Sequence, residues 1–143
     1  MKGSYILLVE LPEEQTLNIG RLGDIHFPAG YYAYVGAALG GFKSRLNRHL
    51  RKDKLPKWHI DYLLQKAAIQ SIIICETDER VECAIAQTLR PQFHSVPGFG
   101  SSDCRCPSHL FFAAEEMEPE LMAVLNSLGL KPRLLENPSQ YQC

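Results

Sequence analysis

No apolar run in this chain approaches the length that crosses a bilayer, which argues against a membrane-spanning role. The N-terminus lacks the charged start, apolar stretch and small-residue cleavage site of a secretory signal. There are no internal repeats, low-complexity tracts or linkers, so a single domain is expected over residues 1–143. An even cysteine count is also missing. The five cysteines, Cys75, Cys83, Cys104, Cys106 and Cys143, cannot all pair within one chain. Without an export signal they read as reduced thiols, and the expected location is the cytoplasm. Charge of one sign is lacking too, with a net charge of -1.

What is present is an ordinary globular composition, 45% hydrophobic and 22% charged, which argues against wholesale disorder. The near-zero net charge conceals an asymmetry. Lys43 to Lys57 holds seven Lys/Arg against one Asp, and the remainder is acidic in balance. Such a patch is offered either to an anion or, as a solvated helix face, to water.

"SYILLVELP" reads as a strand that stops at Pro12, with Tyr5, Leu7 and Val9 on one face. "TLNIGRLGDIHFPAG" reads as short extended pieces joined by glycine turns, and "YYAYVG" as the next strand. Helices are expected over 42–52, 56–67, 78–93 with Asp78 as its cap, and 118–129 with a glycine stop. "IQSIIIC" and "HLFFA" complete the strands, and a polar, loose tail runs to Cys143. The expected class is α+β, a small antiparallel or mixed sheet flanked by helices. Its core covers about residues 3–113.

Several positions carry chemistry. On the first helix Phe42, Leu46 and Leu50 form the apolar stripe. Lys43, Asn47, Arg48 and Arg51 point away from it, while Arg45 and His49 lie on its shoulder. An arginine at the edge of a core can grip a phosphate with two parallel hydrogen bonds, or pack its stem and reach water. Glu82 falls on the apolar side of the third helix with Val81, Ile85 and Leu89. A carboxylate there needs a partner: an arginine such as Arg45 or Arg80, or a metal ion. Mg2+ suits one or two carboxylates plus waters and phosphate oxygens. Tyr5 and Tyr34 lie on strands expected to pair, and Gly36 leaves room for a backbone or ligand.

In "GFGSSDCRCPSHL", Cys104, Cys106 and His109 are zinc-ligand types at close but uncommon spacing. Cys83 or Cys75 is the candidate fourth ligand, and a glycine-rich loop packed by small cysteines ranks above a Zn2+ site. No base is evidently paired with Cys104 for a Cys-His hydrolase. Ser101, Ser102 and Asp103 offer hydrogen bonds to a substrate.

Taken in order, these residues resemble the GIY-YIG nuclease superfamily, here through "GSY" (Gly3 to Tyr5), "YVG" (Tyr34 to Gly36), "RLNRH" and the Glu82 of "VEC". "GYYAYVGAALGG", "KWHIDYLL" and "GFGSSDC" look like a compact prokaryotic branch of it, and the likeness runs from Gly3 to about Ala113. The resemblance implies a three-stranded antiparallel core sheet flanked by helices and metal-dependent hydrolysis of DNA phosphodiesters. Tyr5 and Tyr34 would position or activate water, Arg45 would stabilise the developing charge, and Glu82 would hold Mg2+ or Mn2+. His49 would support or shuttle a proton, and His59 matches a histidine of some members. Lys43, Arg48, Arg51 and Lys52 would grip flanking phosphates, which carries no sequence information.

Three departures accompany the likeness. Ser4 stands in place of the isoleucine of the first motif. The tyrosines lie much farther apart than in the usual hairpin, with a glycine-rich segment between them that would reshape or cover the cleft. No late asparagine is evident, leaving Ser102 or Asp103 in its place. Three readings follow: a metal-dependent DNA endonuclease of repair, recombination or defence; a non-cutting nucleic-acid-binding module that recruits or positions a repair enzyme; and, ranked below both, a zinc-stabilised interaction domain built on Cys104, Cys106 and His109.

Overall fold

The computed structural model describes residues 1–102 and 104–135, so Asp103 and the end of the tail, Cys143 included, lie outside the described residues. The chain folds as α+β, with helices on both faces of an antiparallel sheet. Strand β1 (Gly3–Leu11) is the reason for that layering. Alternation sends Tyr5, Leu7, Val9 and Leu11 to one face and Ile6 and Leu8 to the other, and both sets are buried. A strand buried on both faces needs cover on both, so its sequence reads as one apolar run.

β1 pairs antiparallel with β4 (Gly30–Ala38) on one side and β5 (Ala68–Glu76) on the other. The sheet is wider than the three strands expected for its core. β7 (Leu110–Ala113) pairs with β4 and carries β6 (His94–Ser95) at its far edge. β8 (Arg133–Leu135) adds a sixth strand beside β5. The segment expected to be a loose tail therefore contributes an edge strand, anchored by the buried Leu135.

The long β1–β4 connection is a second small sheet, β2 (Gln15–Asn18) paired with β3 (Asp24–Phe27). Ile19 and Phe27 are fully buried in the same core cluster as Tyr5. The segment between the two tyrosines is thus part of one core layer and not a lid over the sheet. Helices α1 (Phe42–Leu50) and α2 (His59–Leu63) pack on that face through Phe42, Leu46, Ile60 and Leu63. Helices α3 (Glu82–Leu89) and α4 (Glu118–Ser127) cover the other through Ile85, Leu89, Leu121 and Leu125.

Three helices are shorter than their patterns. α1 stops at Leu50 because the Lys54 ammonium donates to the carbonyls of His49 and Arg51. α2 starts at His59 because the Asp61 carboxylate accepts the backbone N–H groups of Lys57 and Trp58, turning the chain there into a cap. Asp78 is not the cap of α3. It pairs with Lys2 at 3.4 Å, and Thr77 Oγ1 accepts the N–H of Glu79, so a turn precedes the helix. Glu82 consequently opens the first turn of α3 instead of lying along its flank.

Candidate active site

β7 covers the edge of β4 only as far as Tyr34; Val35 N–H then donates to the His109 carbonyl at 2.9 Å. Beyond that point a cleft of about 530 Å3 opens along the strand. Tyr34, Arg45, Trp58, His59, Glu82 and His109 line it. One wall comes from α1 and the start of α2, another from the start of α3, and the third from the loop before β7. Four of the sequence-predicted site residues, Tyr34, Arg45, His59 and Glu82, therefore share one cavity.

Tyr5 and His49 do not line it. Both are buried, at 1% and 2% exposure. The Tyr5 hydroxyl lies 2.6 Å from His49 Nε2. Burial pushes the Tyr5 phenol up to about 12, against an opposing pull from the Arg45 guanidinium that hydrogen-bonds it. Burial likewise drives His49 down to about 3, so its imidazole is neutral at physiological pH. Gly36 faces Tyr5 in register, and a Cβ there would sit 2.5 Å from the phenol ring. The space expected for a ligand beside Gly36 is filled by the ring of Tyr5.

Arg45 connects that buried pair to the cleft. Its Nη1 donates to the Ala37 carbonyl at 2.9 Å, and its guanidinium lies 4.6 Å from the centre of the Trp58 ring. Those contacts fix the side chain in the wall of the cavity before any anion arrives.

Arg48 is placed differently from the phosphate-gripping expectation. It makes two hydrogen bonds to Asp61, at 2.8 and 2.9 Å, and stacks 4.0 Å from the Trp58 ring centre. Its side chain is 19% exposed and that of Asp61 1%. Burial would raise the Asp61 carboxyl, but Arg48 and the N–H groups of Trp58 and Lys57 hold it below the usual carboxylate range. Arg48 is thus committed to a partner inside the fold. Sequence reasoning missed Asp61. The signal available was an acid three residues after Trp58, at the spacing of a capping box, inside a cationic segment.

Lys43, Arg51 and Lys52 are exposed. None lines the cleft. Arg51 and Lys52 border a separate cavity of about 630 Å3 together with His49 and Asp61. Lys57, which sequence reasoning did not single out, does line the cleft.

His59 is oriented by the loop. Its Nδ1 accepts the Gly100 N–H at 2.8 Å, which leaves the proton of the neutral ring on Nε2. Burial lowers its pKa, so the neutral ring is favoured. Gly100 has φ of 72°, and a Cβ would stand 2.8 Å from Tyr34 Cε1. Glycine is required there on both counts.

Of the partners that the sequence position of Glu82 left open, Arg80 is the one that forms an ion pair with it. Arg80 Nη1 lies 3.6 Å from Oε1, beyond hydrogen-bonding distance, and the glutamate side chain is 14% exposed. Oε2 is buried with no hydrogen-bond partner among the described residues. A buried orphan carboxylate oxygen beside a polar cavity fits a hard divalent cation, which takes few carboxylates and completes its shell with water and phosphate oxygens. Ser102 also lines the cleft, whereas Asp103 lies outside the described residues.

Beside this cleft stands a second group. The thiols of Cys83, Cys104 and Cys106 and a ring nitrogen of His109 all lie within 4.8 Å of one another. Cys75 is not among them; it is buried on β5. Among the described residues no helix is long and apolar enough to cross a membrane.

Fold and cleft together define an α+β domain with a polar cavity at an uncovered sheet edge. Residues 4–130 match the family described as "Domain of unknown function DUF123", and the chain belongs to that family. No curated protein and no solved structure matches it.

Proposed function

We propose that the chain is a divalent-metal-dependent DNA endonuclease that hydrolyses phosphodiester bonds, of the kind the GIY-YIG resemblance implies. The observation that carries the reading is the meeting of Tyr34, Arg45, His59 and Glu82 in one cleft, with a Glu82 oxygen left unpartnered. Arg45 binds the scissile phosphate and stabilises the charge that builds on it. Tyr5, protonated at neutral pH and closed off from the cleft, does not act as a base. It positions Arg45, and His49 in turn holds its hydroxyl. Tyr34 orients the attacking water, and His59, with Nε2 protonated, offers a hydrogen bond to a phosphate oxygen. Glu82 would hold Mg2+ or Mn2+, which when bound supplies Lewis acidity and lowers the pKa of water. Exposed Lys43, Arg51, Lys52 and Lys57 attract the DNA backbone without reading its sequence. The site of action is the cytoplasm, where the thiols stay reduced.

Plasmid nicking and cleavage of branched, single-stranded and duplex oligonucleotides with Mg2+, Mn2+ or EDTA test this. Metal-dependent product is expected from the wild type, falling about 100-fold or more in Glu82→Ala and Arg45→Ala. Product that persists in EDTA, or in purified Glu82→Ala at the wild-type rate, overturns the mechanism. Salt-sensitive binding with no cut on any substrate overturns the enzyme reading in favour of a non-cutting module that positions a repair enzyme.

A further inference from the structure

We propose that Cys83, Cys104, Cys106 and His109 form a tetrahedral zinc site that ties the first turn of α3 to the loop walling the cleft. The donors come from separate parts of the chain. Cys83 is the second residue of α3, Cys104 and Cys106 lie in the loop, and His109 immediately precedes β7. Nothing local in the sequence requires them to meet, yet their four ligand atoms converge.

The distances fit the ion. Zinc–sulfur bonds of about 2.3 Å and zinc–nitrogen bonds of about 2.0–2.1 Å give tetrahedral S···N edges of about 3.6 Å and S···S edges of about 3.8 Å. His109 Nε2 stands 3.6 Å from Cys104 Sγ and 3.8 Å from Cys83 Sγ. The widest separation in the set, within 4.8 Å, closes to a tetrahedron by side-chain movements of about 1 Å or less. Three thiolates and an imidazole select a soft or borderline ion and not Mg2+ or Ca2+. The set is also closed: four protein ligands leave no open position, the pattern of a structural site. His109 and Cys106 are buried, at 5% and 8% exposure, which shields such a centre from water.

The backbone around the donors is fixed in advance. His109 N–H donates to the Phe99 carbonyl at 2.8 Å, and its own carbonyl accepts from Val35. Cys104 N–H donates to the Ser101 carbonyl at 3.3 Å. The consequence lies in what adjoins the donors. Cys83 follows Glu82 directly, and the same loop presents Gly100 to His59 and Tyr34. A metal here joins two walls of the cleft at their bases. This inference does not rest on the nuclease reading, since its readout is the metal and not DNA cleavage.

The test uses the reduced full chain, stripped with a chelator and titrated with Co2+. One Co2+ per chain is expected, with thiolate-to-cobalt charge transfer and the visible bands of tetrahedral cobalt, displaced by Zn2+. Cys83→Ser should lose about one third of the charge-transfer intensity or the binding altogether, because one of three thiolates is gone. The zinc-loaded protein should melt above the stripped protein by several degrees. Absence of thiolate–cobalt absorption in the wild type overturns the site, whatever the variant does. An unchanged Cys83→Ser spectrum overturns the ligand set, and equal melting of loaded and stripped protein overturns the structural tie.

Discussion

Tyr5 on β1 and His49 on α1, separated by 44 positions, share a 2.6 Å hydrogen bond inside the core. The bond joins the central strand to the helix that carries Arg45, so the arginine's position is set from beneath. Burial there disfavours the charged ring, so the imidazole is neutral at physiological pH.

That has a measurable pH signature. Unfolded His49 takes a proton near 6.5, whereas the folded ring resists to about 3. Between those values the unfolded state binds more protons, so stability rises with pH across the window and is lost as pH falls. Urea midpoints from pH 4 to 8 should show this limb, at most about 1.4 kcal/mol per pH unit from this group. His49→Gln, which keeps a polar partner for Tyr5, should flatten it. An equally steep limb in the variant would assign the slope elsewhere.

Gly36→Ala should destabilise by about 1–3 kcal/mol, because its Cβ would stand 2.5 Å from the Tyr5 ring, which must shift to admit it. The same substitution made in a Tyr5→Ala background should cost much less. A double-mutant cycle of denaturant midpoints measures the difference, and additive effects would show that the two residues do not meet.

Asp61→Ala should be the costlier lesion in the basic segment, at about 3–5 kcal/mol, because it strands the guanidinium of Arg48 in a site where it is 19% exposed. Replacing both partners with apolar residues should restore part of that loss. Thermal melts of the single and paired variants decide this, and a harmless Asp61→Ala would show that the pair contributes little.

On the nuclease reading, exchanging Lys43, Arg51 and Lys52 together for Gln should weaken DNA binding equally across sequences. It should also reduce the dependence of log K on log salt by about 0.9 for each phosphate contact removed. Arg48→Gln should act on stability first. Titrations at several salt concentrations separate these effects, and an unaltered slope in the triple variant would move the DNA to another face.

The sequence made the three central strands legible because β1 and β4 are apolar runs bounded by Gly or Pro and β5 carries the β-branched run Ile72 to Ile74. It also marked Glu82 as a carboxylate out of place. What it hid was long-range. Helical angles put Arg48 on an outer face, but its partner arrives from the next helix, and a helical wheel contains no second helix. In sequence Cys83 and Cys75 stand level as the candidate fourth ligand, because Cys83 lies twenty-one positions before Cys104 and no spacing rule chooses between the two. β8 is three residues long and becomes a strand only because β5 offers it an edge. The width of the sheet was therefore underestimated for the same reason: short edge strands are made by their neighbours.

Trp58 is the only tryptophan in the chain, and it carries a guanidinium against its ring from Arg45 at 4.6 Å and from Arg48 at 4.0 Å. One of those cations faces the cleft and the other is locked to Asp61. Indole emission responds to nearby charge, so the molecule has an optical reporter in the wall of its own cavity. An anion that pairs with Arg45 alters the charge beside a single fluorophore, while Arg48 stays as a fixed reference. Occupancy of the cleft can be followed in solution without a dye, a label or a turnover.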